Sequence, residues 1–140
     1  MASVFTMIIK GEIPAVFVWR DDKCVAFMSI NPIRAGHVLV VPRREIDHWI
    51  DCPADLRDHL FGVAQEIARA VQQVWSPEKV GLMIAGLEVP HLHLHVLPID
   101  GLGDLSFANA AAQADTEELE EAAASIRRAL GDRGTAGASE

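Results

Sequence analysis

Apolar residues recur at Leu56, Leu60, Val63, Ile67, Val71 and Val74, the three-and-four spacing of one helix face. The stripe is about six turns long. Asp51 and Pro53 stand ahead of it as start signals, with Asp55 in the first turn. Asp115 followed by Glu118 reads as a capping box that opens a second helix over about residues 116–130, and Gly131 is expected to end it. A short helix is predicted over Ser3–Lys10. Between these lie runs of β character at Ala15–Trp19, Cys24–Met28, His37–Val41, Val80–Ala85 and His91–Leu97. Asp21-Asp22, lengthened by Lys23, is a natural turn joining the first two runs. The order of these elements predicts an α+β fold: an antiparallel sheet of about five strands, a long helix, a short N-terminal helix and a C-terminal helix, with the helices on one face. There is no internal repeat and no linker. Low complexity is confined to the Ala-rich tail, and residues 132–140 are expected to fray.

A chain of 140 residues has room for one domain with one core, expected over residues 1–131. Half its residues are hydrophobic, which rules out wholesale disorder. The net charge of −8 is carried mainly by the last 40 residues, at −5, against −3 for the first 100. With only three Lys, such a chain neutralises few phosphates at once, so no nucleic-acid partner is expected. Cys24 and Cys52 read as small buried hydrophobes rather than a disulfide framework. The N-terminus lacks a basic region ahead of its apolar stretch, and no apolar run reaches the ~20 residues of a membrane helix. No membrane partner is therefore expected, and the expected location is the cytoplasm.

The chemistry concentrates in Val89-Pro-His91-Leu-His93-Leu-His95-Val-Leu-Pro98, which holds three of the six histidines. On a strand, side chains alternate faces, so His91, His93 and His95 project to one side while Leu92, Leu94 and Val96 project to a core. Two chemistries use such a row. Two imidazoles could chelate a Zn²⁺ at about 2.0–2.1 Å with an outside ligand such as His37, Asp or Glu. His91 and His95 are about 13 Å apart along an ideal strand, too far to share one ion. Alternatively, the central imidazole attacks as a nucleophile while its neighbours orient it and bind the developing anion. That use accounts for all three positions.

His91-Leu-His93-Leu-His95-Val-Leu resembles the His-φ-His-φ-His-φ-φ signature (φ apolar) of the histidine triad (HIT) nucleotide hydrolases and transferases. Phe5-Thr-Met-Ile-Ile-Lys-Gly-Glu-Ile-Pro14 is similar to the family's opening helix and turn, and Asp21-Asp-Lys-Cys-Val-Ala-Phe27 to its first hairpin. Asn31-Pro-Ile-Arg-Ala-Gly-His37-Val-Leu-Val-Val-Pro42 is similar to its Pro-x-x-x-Gly-His strand entry. Together these cover residues 4 to about 99, nearest the bacterial Hint-like branch.

The resemblance implies a HIT-like fold, a homodimer, a purine nucleotide substrate and reaction at the α-phosphate of a nucleoside monophosphate derivative. It implies no cofactor and no metal. His93 would be the nucleophile, forming a covalent nucleotidyl-imidazole, with its other nitrogen donating to the carbonyl of His91. His95 and His37 would flank the phosphate. Gly86 and the backbone around Glu88 and Val89 would approach the phosphate, where a side chain at Gly86 would obstruct. The nucleobase pocket carried over by position is Phe5, Ile8, Ile13, Phe27 and Ile30.

Two departures bear on the substrate. Ser29 stands where the family has an acid or amide for the ribose hydroxyls, and one hydroxyl grips less than a carboxylate. Leu87 stands where the family commonly has Gln before the triad, which favours a phosphoramidate or acyl-nucleotide over a dinucleoside polyphosphate. Glu88 replaces a small hydroxylic residue and is expected to face a departing amine. His48 and His59 read as solvated surface residues, and Trp19, Trp49 and Trp75 as packing or interface residues.

Overall fold

The computed structural model describes residues 2–134 of the chain. Its centre is a five-stranded sheet of β1 (Phe17–Arg20), β2 (Cys24–Met28), β3 (Val38–Pro42), β4 (Lys79–Met83) and β5 (Leu94–Ile99). The strands lie in the order β1-β2-β3-β5-β4, and every neighbouring pair is antiparallel. β2 and β3 are buried at every position, because both faces of the sheet are covered there. Strand alternation divides their side chains between two cores. Cys24, Ala26, Met28, Val38 and Val40 enter one, while Val25, Phe27, Leu39 and Val41 enter the other.

The first core lies under α2 (Ala54–Trp75) and α3 (Thr116–Asp132). The stripe read from the sequence delivers Leu60, Val63, Ile67 and Val71 to it, and α3 adds Leu119, Ile126 and Leu130. Each such side chain, once buried, contributes about 1.5–3 kcal/mol. The second core is closed by the six-residue α1 (Val4–Ile9) through Phe5 and Ile8. The expectation that all helices share one face therefore fails for α1. A strand pair apolar on both sides needs cover on both sides, and α1 supplies the second.

The ends of five elements differ from the sequence reading in ways that have a local cause or a small shift. β1 begins at Phe17 rather than Ala15, and its pairing slips between Phe17 and Trp19, so that Val18 is bulged. β3 lies one residue later than expected, at Val38–Pro42, and β4, at Lys79–Met83, starts one residue earlier and ends two residues earlier. β5 begins at Leu94 rather than His91, because the His91 N–H turns back to the Val89 carbonyl and the Leu92 N–H goes to Ile46. α3 passes through Gly131 to Asp132, a cost of about 0.5–1 kcal/mol that its packed face offsets. Asp115 caps α3 by accepting the Glu117 N–H. Residues 135–140 of the expected frayed tail lie outside the described residues.

Asp21 closes the first hairpin by accepting the backbone N–H groups of Lys23 and Cys24 on one oxygen. Its other oxygen accepts Trp19 Nε1–H and His59 Nε2–H, both at 2.8 Å. His59 is thus a tie between α2 and the hairpin rather than a solvated residue. Cys24 is wholly buried and Cys52 half-buried, neither in a disulfide. Among the described residues no helix is long and apolar enough to cross a membrane.

Candidate active site

Alternation on the sheet places Phe27, Leu39 and His95 in one cross-strand row on the α1 side, since Phe27 pairs with Leu39 and Leu39 with His95. His93, one residue before β5, reaches the same side: its ring lies 4.8 Å from that of His95 and 4.9 Å from that of Phe5. The extended backbone thus gives the predicted alternation of the histidines although the ladder starts only at Leu94.

These rings open onto a cavity of about 530 Å³. Its lining includes eight of the nine residues expected at the substrate, namely Phe5, Ile8, Ile13, Phe27, Ser29, Ile30, Glu88 and Val89, together with His37, His93 and His95. Phe5 and Phe27 meet edge to face at 5.5 Å, forming an apolar end wall. Gly86 lies instead in an adjoining hollow with Asp47, Trp49 and Leu87. A Cβ added there would meet only the Asp47 carbonyl, at 3.8 Å, so the protein itself leaves it room. The φ of +76° is a backbone conformation that favours glycine at this position.

His91 does not line the cavity. It is wholly buried behind His93, with Nε2 on the Pro42 carbonyl at 2.8 Å and Nδ1 on Ser3 Oγ at 2.6 Å.

The hydrogen bonds assign the protons. His93 Nδ1 lies 2.7 Å from the His91 carbonyl, which only accepts, so Nδ1 carries the hydrogen and Nε2 keeps its lone pair. His37 Nδ1 accepts the Ile33 N–H at 3.1 Å, so Nε2 carries the hydrogen and donates to His95 Nδ1 at 2.9 Å. His95 then bears its hydrogen on Nε2. Among the described residues no buried side-chain nitrogen or oxygen lacks a partner, so these free Nε2 atoms are open to solvent through the cavity.

All four rings are neutral at pH 7. Burial, reinforced by the charge of His93, pushes His37 down to about 4. Burial, then the charges of His93 and His37, push His95 to about 3. His91 and His93 are also lowered, chiefly by burial.

One wall escaped the sequence reading. After β5, 3-10 turns at Leu102–Leu105 and Phe107–Asn109 lead into a strap that lines the cavity with Phe107, Ala110 and Ala111. The Ala111 and Ala114 N–H groups bond to the carbonyls of Pro32 and Ile30, and Asn31 Nδ2 donates to the Ala111 and Ala112 carbonyls. Arg34 braces it through Asp100 at 2.9 Å and Asp104 at 2.6 Å. The strap sets Phe107 edge-on to His95 at 5.1 Å. The one signal available was a lone aromatic in an otherwise small and polar stretch.

In the histidine row His37 has both nitrogens engaged, by the Ile33 N–H and by His95, which leaves the Nε2 atoms of His93 and His95 as the free imidazole donors facing the cavity. Among the described residues the one group of three His, Cys, Asp or Glu with ligand atoms within 4.8 Å is Asp21, Cys24 and His59. Its carboxylate is already engaged by four N–H donors, and burial and Asp21 hold the Cys24 thiol well above its usual range, in the protonated form.

This sheet, with alternating histidines at the head of one strand and a fourth immediately ahead of its neighbour, defines a class: the chain belongs to the HIT domain family, whose model matches residues 10–102. It is 32% identical over 137 residues to Protein hit of Bacillus subtilis, spanning 91% of this chain and 93% of that one. A Hit-like protein involved in cell-cycle regulation from Bartonella henselae has a similar structure, with TM-score 0.82 and 32% identity over 91% of this chain and 96% of that one. So has a zinc-bound histidine triad family protein from Mycobacterium smegmatis, with TM-score 0.81 and 28% identity over 96% of each chain.

Proposed function

We propose that this protein hydrolyses nucleoside 5′-monophosphate derivatives at the α-phosphate, through a covalent nucleotidyl intermediate on His93. Purine nucleoside phosphoramidates and acyl-nucleotides are the substrate class. The supporting observation is the proton inventory: His93 offers a bare Nε2 to a cavity whose next ring, His95, offers an N–H.

In this reading His93 Nε2 attacks phosphorus and the P–N bond to the amine breaks. The positive charge that builds on the imidazole is held by the His91 carbonyl at Nδ1–H. His95, neutral at pH 7, serves as a hydrogen-bond donor to the phosphoryl oxygens and the leaving nitrogen rather than as a store of protons. The leaving nitrogen takes a proton from solvent in the cavity as the P–N bond breaks, so the amine departs neutral. Water then attacks phosphorus and the bond to His93 breaks; its oxygen stays on the phosphate, the proton it releases replaces the one taken from solvent, and His93 returns to its starting state. The nucleobase lies against Phe5, Ile8, Ile13, Phe27 and Ile30, with Ser29 at the ribose.

The polyphosphate alternative is disfavoured by Leu87, which is 94% exposed, lies outside the cavity lining and offers no polar atom to a longer phosphate chain. Residues 1–131 act as one domain in this reading, and two copies pair. Support for pairing comes from the open edge of β4 beside exposed apolar Trp49, Phe61, Leu82 and Ile84.

The test is release of amine from an adenosine 5′-phosphoramidate by wild type and His93→Ala, each with a chelator present. Turnover that survives chelation and vanishes in the variant is expected. Undiminished turnover by His93→Ala, or loss on chelation alone, overturns the mechanism.

A further inference from the structure

We propose that Ser3, held by Glu45, is a positioning residue for the nucleophile: its hydroxyl sets the proton position of the His91 ring and thereby fixes the carbonyl that orients His93. The kinetic part of this inference rests on His93 being the nucleophile; the structural part does not.

Ser3 is the N-cap of α1, and its Oγ accepts the Thr6 N–H at 3.0 Å. A cap needs only that acceptor. The same oxygen lies 2.6 Å from His91 Nδ1, across 88 positions of sequence, and both residues are buried. The Pro42 carbonyl at 2.8 Å requires His91 Nε2 to carry a hydrogen. A neutral His91 therefore has a bare Nδ1, and the Ser3 hydroxyl donates to it at 2.6 Å in preference to its other acceptor, Thr6 Oγ1, at 3.3 Å. One oxygen thus caps α1 with its lone pair and fixes a tautomer with its hydrogen.

Glu45 supports the arrangement from the loop after β3. Its Oε1 accepts the Ser3 N–H at 2.6 Å and Thr6 Oγ–H at 2.7 Å, which holds the first turn of α1 in register with His91. The His91 ring is gripped at both nitrogens, so its own peptide carbonyl, the acceptor for His93 Nδ1–H, is held in place. Without the Ser3 hydroxyl, His91 Nδ1 is a buried acceptor with no donor. The ring can recover a partner only by exchanging tautomers or rotating, and either loosens the Pro42 contact and the carbonyl behind His93.

The experiment compares wild type with Ser3→Ala, Ser3→Gly and Ser3→Thr by ring ¹⁵N NMR of His91 without substrate, and by kcat and KM on the phosphoramidate. Glycine is close to serine as an N-cap, so Ser3→Gly removes the hydroxyl while sparing the helix if Ser3→Ala fails to fold. Wild type is expected to show one protonated Nε2 and one bare Nδ1. Ser3→Gly is expected to mix the His91 tautomers and to lower kcat roughly ten- to a hundred-fold with KM within a few-fold. Ser3→Thr restores both. Ser3→Gly with wild-type ¹⁵N shifts and kcat overturns the proposal. A change in KM alone reduces Ser3 to a helix cap and overturns it equally. Should wild type fail to turn over the substrate, the nucleophile reading falls, and the ¹⁵N spectra still decide the link from Ser3 to His91.

Discussion

Lowering the pH from 7 to 5 is expected to remove about 2 kcal/mol of folding stability through His37 alone. In the unfolded chain His37 takes a proton near its ordinary 6.5, whereas the folded ring resists until about 4. Between those values unfolding binds an extra proton, so stability is full above 6.5 and drains as the pH falls. The 1.5 pH units from 6.5 to 5 are worth about 2 kcal/mol, rising to about 3 at pH 4. His91, His93 and His95 are lowered as well and act with the same sign. His37 and His95 share one hydrogen bond, so their contributions do not simply add. Glu45, held near 2 by the Ser3 and Thr6 donors, contributes fully above its ordinary 4.5, which leaves the window from 7 to 5 to the histidines. The assay is urea unfolding at pH 7 and pH 5, with His37→Asn as the variant that cannot charge. Wild type should lose at least 2 kcal/mol, roughly, and the variant should lose about 2 kcal/mol less. Equal wild-type stability at the two pH values, with equal m-values, refutes the neutral buried rings on which the site depends. The acid limb of kcat/KM should also fall below pH 6.5, because burial keeps the His93 lone pair free to lower pH.

Gly36→Ala is expected to cost about 2–4 kcal/mol, read by thermal melting. Its φ is +92° and a Cβ there would stand 2.8 Å from the Trp75 ring, so an unchanged Tm would show that the ring yields freely. Glu88→Ser should reduce the preference for basic over neutral leaving amines, since the Glu88 carboxylate lines the cavity and its charge reaches His93. An unchanged ratio of kcat/KM values would remove Glu88 from the leaving-group contacts. Ile84→Glu should yield monomers in sedimentation, because it places a charge among the exposed apolar residues beside β4. A dimer that survives it must pair elsewhere.

The long helix was legible because a 22-residue amphipathic stripe repeats its signal at every turn. β2 was legible to the residue because five apolar positions stand between two polar turns. The start of β5 was not, since where a strand begins depends on which carbonyl the Leu92 N–H finds, and that carbonyl belongs to Ile46. The row His91, His93, His95 announced the chemistry, and His37 followed from resemblance. The pairing of His37 with His95 is a tertiary fact with no local signature. Phe107 was missed for another reason. Its segment follows no period, being held by backbone bonds to Ile30 and Pro32 rather than by a buried face. The place of α1 opposite the other helices lay in plain view, since strands apolar on both sides call for cover on both, yet six residues are too few to show periodicity.

That mode of attachment matters for how the cavity can change. The strap is anchored by main-chain atoms, by Asn31 and by the ion pairs of Arg34 with Asp100 and Asp104, while Phe107, Ala110 and Ala111, which form the wall beside His95, carry none of those anchoring side-chain bonds. Substitutions at these three positions can reshape the mouth of the cavity without touching either core or the histidine bonds. The fold thus separates the chemistry, which is fixed by the sheet, from an interchangeable rim. A small library at three positions could retune which ligands the cavity admits while the histidine geometry is inherited unchanged.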